Sequence, residues 1–170
     1  MQHKLISGDN HIDLTYCPPD LWSADAPAKW KKNVPRVEER NDGQHWFVDD
    51  KDRGMWNGVG PGFLPYTKGS FGHVDEMKEA GFEWDSYPGA RPRPTTPELR
   101  IADLDRDGLE KEIIYGCLMI NDLIDEVDLR VWSNARYNDW AADFAKRSDP
   151  NRVFPLHHSS NVGNNSLLSE

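Results

Sequence analysis

The chain begins with a short apolar run, Leu5-Ile6-Ser7, that passes into Gly8-Asp9-Asn10-His11. This pattern predicts a buried strand ending in an Asp-x-His. Residues 20–32 predict a short helix or turn, with Trp22 and Trp30 as packing residues. Next, Arg36-Val37-Glu38-Glu39-Arg40 and His45-Trp46-Phe47-Val48 flank Asn41-Asp42-Gly43. Asp-Gly between alternating segments predicts a β-hairpin. Residues 51–97 hold no sustained period of 3.6 or 2 and are rich in Gly, Pro, aromatics and charge. They predict a long excursion from a scaffold, of the length that often forms functional lids.

Periodicity returns at Thr96-Pro97-Glu98. Thr96 suits a helix N-cap and Pro97 the first helical position. The helix is expected to run to about Asp107 and stop at Gly108. Glu112-Ile113-Ile114-Tyr115-Gly116 then predicts a second buried strand. From about Glu126 to Arg147, the residues Tyr137, Trp140, Ala141, Phe144 and Ala145 share one helical face. Ser148-Asp149-Pro150-Asn151 ends that helix, and Val153-Phe154-Pro155-Leu156-His157 predicts a third strand weakened by Pro155. Strands alternating with helices imply an α/β fold with a parallel sheet and right-handed crossovers. The expected layout is one unit over residues 1–158, with 36–97 as a loop/hairpin insertion and 159–170 as an irregular polar tail.

Composition narrows the class. Seven Trp in 170 residues argue for a folded, not a disordered, chain. A net charge of −9 makes nucleic acid and anionic membrane poor partners. No apolar run approaches the ~20 residues of a membrane span, and the N-terminus does not resemble a secretory signal. Cys17 and Cys117 lie far apart and read as two free thiols of a cytoplasmic protein.

The candidate chemistry is concentrated at Asp9 and His11. Positions i and i+2 of a strand face the same way, so a carboxylate oxygen and an imidazole nitrogen can meet at one point. That pair suits a divalent metal such as zinc. The bland alternative is a polar strand end with His11 merely hydrogen-bonded. Asp13 joins the same face only if the strand continues. Asp103-Leu104-Asp105-Arg106-Asp107-Gly108 imitates the opening of a calcium loop, but position 12 is Ile114 and position 8 is Glu110. It is better explained as a charged helix end. His157-His158 is expected to be a strand-end pair with one imidazole solvated. His45 and His73 sit in the excursion without supporting acids nearby, so surface or loop packing is expected for both. Trp46, Trp56 and Trp84 are expected to pack the excursion. Gly58-Val59-Gly60-Pro61-Gly62 lacks the Lys-Ser/Thr of a phosphate loop. No serine-nucleophile, paired-cysteine or dinucleotide motif is present, so no further catalytic residue is assigned.

Several segments together resemble one family. Ile6-Ser7-Gly8-Asp9-Asn10-His11 through Pro18-Pro19-Asp20-Leu21-Trp22 resembles the start of amidohydrolase-related proteins, in the branch that includes aminocarboxymuconate-semialdehyde decarboxylase and related aromatic-acid decarboxylases. The run Arg100 through Leu109 is similar to the segment before that family's next barrel strand. Tyr137-Asn138-Asp139-Trp140 through Asp149-Pro150-Asn151-Arg152-Val153 is similar to a helix leading into a strand. The resemblance implies a (β/α)8 TIM barrel with a divalent metal at its C-terminal mouth, commonly zinc, with manganese as the other choice. It implies that Asp9 and His11 are first-strand ligands, completed in the family by a His from a middle strand and an Asp from the last. The implied activity is metal-dependent decarboxylation or hydrolysis of a small carboxylated, aromatic compound.

Such a barrel takes about 250 residues, so this chain is expected to be a truncated N-terminal portion whose later ligands would lie beyond Glu170. Three parallel strands would leave open edges and bare faces. The competing expectation is therefore a non-catalytic fragment that acts by associating with another chain, a second copy included.

Overall fold

The computed structural model describes residues 4–12, 14–56, 96–117 and 119–159. In chain order these form β1 (Leu5–His11), β2 (Arg36–Arg40), β3 (Gly43–Val48), β4 (Lys51–Met55), α1 (Pro97–Arg106), β5 (Leu109–Tyr115), α2 (Met119–Leu123), α3 (Val127–Ser148) and β6 (Val153–Pro155). Strands β1, β5 and β6 make a parallel sheet in the order β1-β5-β6, and β2, β3 and β4 make a separate antiparallel sheet. Residues 1–3, 13, 57–95, 118 and 160–170 lie outside the described residues. With them go the Gly58–Gly62 run, His73, Trp84 and most of the polar tail.

The helices start and stop where local chemistry directs. Thr96 Oγ1 accepts the Leu99 N–H at 3.3 Å, and Pro97 opens α1. Gly108 turns the chain out of α1 at φ +69°, a conformation that costs an L side chain energy. Helix α3 buries Leu129, Ser133, Tyr137, Ala141, Phe144 and Ala145 along one face, with Trp140 at its margin. That is the face the spacing predicts.

Strand β5 alternates. Glu112 and Ile114 are buried, whereas Tyr115 is exposed. Cross-strand partners follow suit: Val153 beside Glu112 is buried, and Phe154 beside Ile113 is exposed. Helices α1 and α3 pack on one face of the sheet. The pairs Ile6–Lys111, Ile113–Phe154 and His11–Tyr115 lie on the other. The expectation of a buried first strand is therefore wrong. Leu5 and Ile6 are 57% and 60% exposed, because β1 is an edge strand and Ile6 faces away from the helices. Strand β5 begins three residues earlier than predicted. Arg152 reaches back to the Leu109 and Glu110 carbonyls, both at 2.9 Å, and holds that first turn of strand in place. Strand β6 stops at Pro155 rather than His157, although the Leu156 N–H still bonds the Ile114 carbonyl at 2.8 Å.

The excursion is not all loop. The predicted hairpin is present, closed where Arg40 pairs with Gly43. A further strand, β4, follows through a tight turn at Asp49-Asp50, both with positive φ. Asp tolerates that conformation, but Lys51-Asp52-Arg53-Gly54-Met55 carries no apolar alternation, so its pattern gives no strand signal. Trp46 and Val48 sink into the same core as Trp22 and Tyr137. The Trp22 and Trp46 rings meet edge-on at 6.0 Å. Trp22 Nε1–H donates to the Ser133 carbonyl and Trp30 Nε1–H to Glu126, both at 2.9 Å. Arg53 bonds the Leu123 carbonyl and Lys51 lies 3.6 Å from Asp125. These ties fasten the antiparallel sheet to the residues that follow the C-terminal end of β5. Cys17 and Cys117 are free thiols within the shared core. Among the described residues, no helix is long and apolar enough to cross a membrane.

A Cβ added at Gly108 meets nothing within 4 Å, so Gly108→Ala isolates the backbone cost of positive φ. Urea unfolding should show a loss of about 1 kcal/mol. An unchanged midpoint would mean that the turn relaxes freely.

Candidate metal-binding site

Asp9 and His11 stand at the C-terminal end of β1. The Asp9 Oδ1 to His11 Nε2 distance is 3.9 Å, and the two side chains are 85% and 43% exposed. Two tetrahedral ligands at about 2.0–2.2 Å stand about 3.4 Å apart, so these exposed side chains need to close by only about 0.5 Å to share one ion. The oxygen and nitrogen donors thus fit two positions of a metal site. Among the described residues, no group of three or more His, Cys, Asp or Glu forms a fuller one. The His11 ring leans on Tyr115, with centroids 5.7 Å apart, so an aromatic wall stands beside the pair.

Behind the pair, on the helix-covered side, sits a buried polar cluster that sequence reasoning missed. Glu112 is fully buried in the middle strand. Arg100 of α1 grips it through Nε and Nη2, both at 2.7 Å. Asn10 donates to the same carboxylate through Nδ2, and Arg100 Nη1 donates to the His11 carbonyl at 3.3 Å. A cavity of about 420 Å3 opens beside the cluster, lined by Asn10, His11, Tyr16, Arg100, Leu104 and Glu112 among others. One signal was available. An acid at a buried position of an otherwise apolar strand requires a partner, and Arg100 precedes Leu104 by one turn on the inner face of α1.

The other histidines are placed elsewhere. His45 does have acids at hand, contrary to expectation. Its Nδ1 is 2.9 Å from Asp52 and its Nε2 is 3.2 Å from Asp42. The β3–β4 pairing delivers Asp52, so the contact is invisible unless β4 is foreseen. Partial burial pushes the Asp52 carboxyl up, but the Gly54 N–H, His45 and Arg40 together hold it below its ordinary value. His157 is exposed, whereas His158 is half-buried against the Tyr137 ring at 5.1 Å. Burial pushes the His158 imidazole below its ordinary value, opposed by a hydrogen bond to the Gly116 backbone. Burial beside the Cys17 and Cys117 thiols drives the Tyr137 hydroxyl pKa up. Asn138 locks His158 by bonding both its carbonyl and its N–H at 2.9 Å. The pair is thus a strand end with one ring solvated. Asp103 and Asp105 lie within helix α1, so the imitation calcium loop is a helix end.

A crystal structure of an amidohydrolase from Mycobacterium avium subsp. paratuberculosis K-10 superposes on this chain with a TM-score of 0.58 and 15% identity. The match covers 92% of this chain and 42% of that one. The fold is amidohydrolase-like. The chain therefore spans less than half the length of the protein it matches. No family model and no curated protein matches this sequence.

The amidohydrolase-like core contains a testable electrostatic liability. Removing one partner of a buried ion pair strands the other charge. Glu112→Leu should cost about 3–5 kcal/mol in urea unfolding, while Arg100→Met with Glu112→Leu should cost far less. A double variant as unstable as the single one would show that the pair contributes more than mutual neutralisation.

Proposed function

We propose that this chain belongs to a metal-dependent amidohydrolase-type enzyme acting on a small carboxylated, aromatic compound by decarboxylation or hydrolysis. One observation carries the reading: in an amidohydrolase-like fold, Asp9 and His11 converge at the C-terminal end of a parallel edge strand. That end is where parallel α/β folds gather ligands and catalytic groups. On this reading β1, β5 and β6 are consecutive strands of a (β/α)8 barrel, and the bare sheet face looks toward its interior. Asp9 and His11 would hold a zinc or manganese ion, which when bound supplies Lewis acidity and an activated water.

The chain's own residues have simpler tasks. His11 presents its imidazole next to the Tyr115 ring, which gives a flat substrate one wall. The antiparallel sheet is anchored at Leu123 and Asp125, beyond the C-terminal end of β5, where it can shape access to the mouth. A cytoplasmic location accords with the two free thiols.

A second reading has its own observation. Ile6, Tyr115 and Phe154 leave the unpacked sheet face partly apolar and exposed, which favours association with another chain, a second copy included, without catalysis.

Metal analysis separates the two. Purified protein should hold near-stoichiometric zinc or manganese by elemental analysis, and His11→Ala should abolish it. Wild-type protein free of both metals, even after incubation with them, would contradict the enzyme reading.

A further inference from the structure

Of the two donors, His11 is in register with Tyr115, but Asp9 sits on a stretch of β1 that its own sheet does not hold. The β1–β5 register shifts between Ser7 and Asn10, so Gly8 and Asp9 have no ladder partner. Gly8 has open space around it and no side chain to brace the backbone. Something else must fix where Asp9 points relative to His11.

The polar cluster reaches this segment from behind. Asn10, between the two donors, is held on both sides of its amide. Its Nδ2 donates to Glu112, and its Oδ1 accepts from Ser7 Oγ at 2.9 Å, across the register shift. Glu112 cannot swing, because Arg100 grips it in a two-point fork and both side chains are buried. Arg100 also holds the His11 carbonyl. The cluster therefore touches β1 at Asn10 and at His11.

A buried ion pair seldom adds net stability over a well-packed apolar pair of the same size. Its clearer use is to fix geometry, as groups behind a metal ligand do. Resting on the metal reading above, we infer that Arg100 and Glu112, acting through Asn10, are positioning residues that set the aim of Asp9 and His11. None of the three touches the ion or the substrate. They form a strut from helix α1 through the middle strand to the edge strand.

The test uses the full chain and zinc alone, titrated against a competing chromophoric chelator. Asn10→Ala cuts the strut at its last joint but leaves the Arg100–Glu112 pair intact. Arg152→Ala is the control. Arg152 ties Leu109, Glu110 and Asp105 at the far end of β5, so its loss should lower the melting temperature without touching the donors. Asn10→Ala should weaken zinc binding about 10- to 100-fold, and Arg152→Ala should leave it unchanged. A second readout needs no metal. The nuclear Overhauser contact between the His11 and Tyr115 rings should be lost in Asn10→Ala and kept in Arg152→Ala. Wild-type zinc affinity in Asn10→Ala, or equal weakening in both variants, overturns the inference. If wild-type protein takes up no zinc, the metal reading fails by itself and the ring contact decides: its loss only in Asn10→Ala supports the strut, and its survival there overturns it.

Discussion

One buried contact joins helix, sheet centre and sheet edge: the two-point ion pair between Arg100 and Glu112. Strand β5 is central to the parallel sheet and pairs with both neighbours. Placing a carboxylate at its buried midpoint would be costly without a fixed counter-charge. Arg100 supplies it from α1, and so commits α1 to one position over the sheet. The Glu112 carboxylate then has capacity left for Asn10, which ties the edge strand to the same point. Helix, centre and edge thus meet in one side-chain cluster.

That arrangement divides the sheet into two unlike faces. The helix-covered face carries Ile114, Val153 and the apolar stripe of α3, with Trp22 and Trp46 extending the core into the antiparallel sheet. The opposite face carries Asp9, His11 and Tyr115, along with exposed Ile6 and Phe154. The apolar side chains there stand beside Lys111, Asp9 and His11, a mixed surface that another surface could meet. In a barrel that surface would be the remaining strands; in the rival reading it would be another chain. Either way, the face with the donors is the one the described residues leave without a helix.

Much of this was legible in the sequence where local chemistry decides. Thr96-Pro97 and Gly108 bracket α1, and the spacing of Tyr137, Ala141 and Phe144 marks the buried face of α3. Asn41-Asp42-Gly43 closes the first hairpin. What escaped depends on pairing between distant residues. Strand β4 is polar and exists because β3 lies beside it and Asp49-Asp50 tolerate positive φ. The apolar run Leu5-Ile6 is exposed because such a run does not reveal which sheet face is covered. Glu112 opens the predicted second strand, and only the fold brings Arg100, twelve residues earlier, onto its carboxylate. The Asp-x-His was visible from the start, and its spacing holds in three dimensions as a 3.9 Å donor pair. The strut behind it was not, because neither Asn10 nor Glu112 belongs to any local pattern.

The claim that Asp9 and His11 are metal ligands is tested most directly by anomalous X-ray scattering at the zinc edge, on crystals grown with zinc. The account predicts a peak about 2.0–2.2 Å from an Asp9 carboxylate oxygen and from a His11 ring nitrogen. A peak at Asp42, His45 and Asp52, or at His157, with none beside Asp9 and His11, would contradict it.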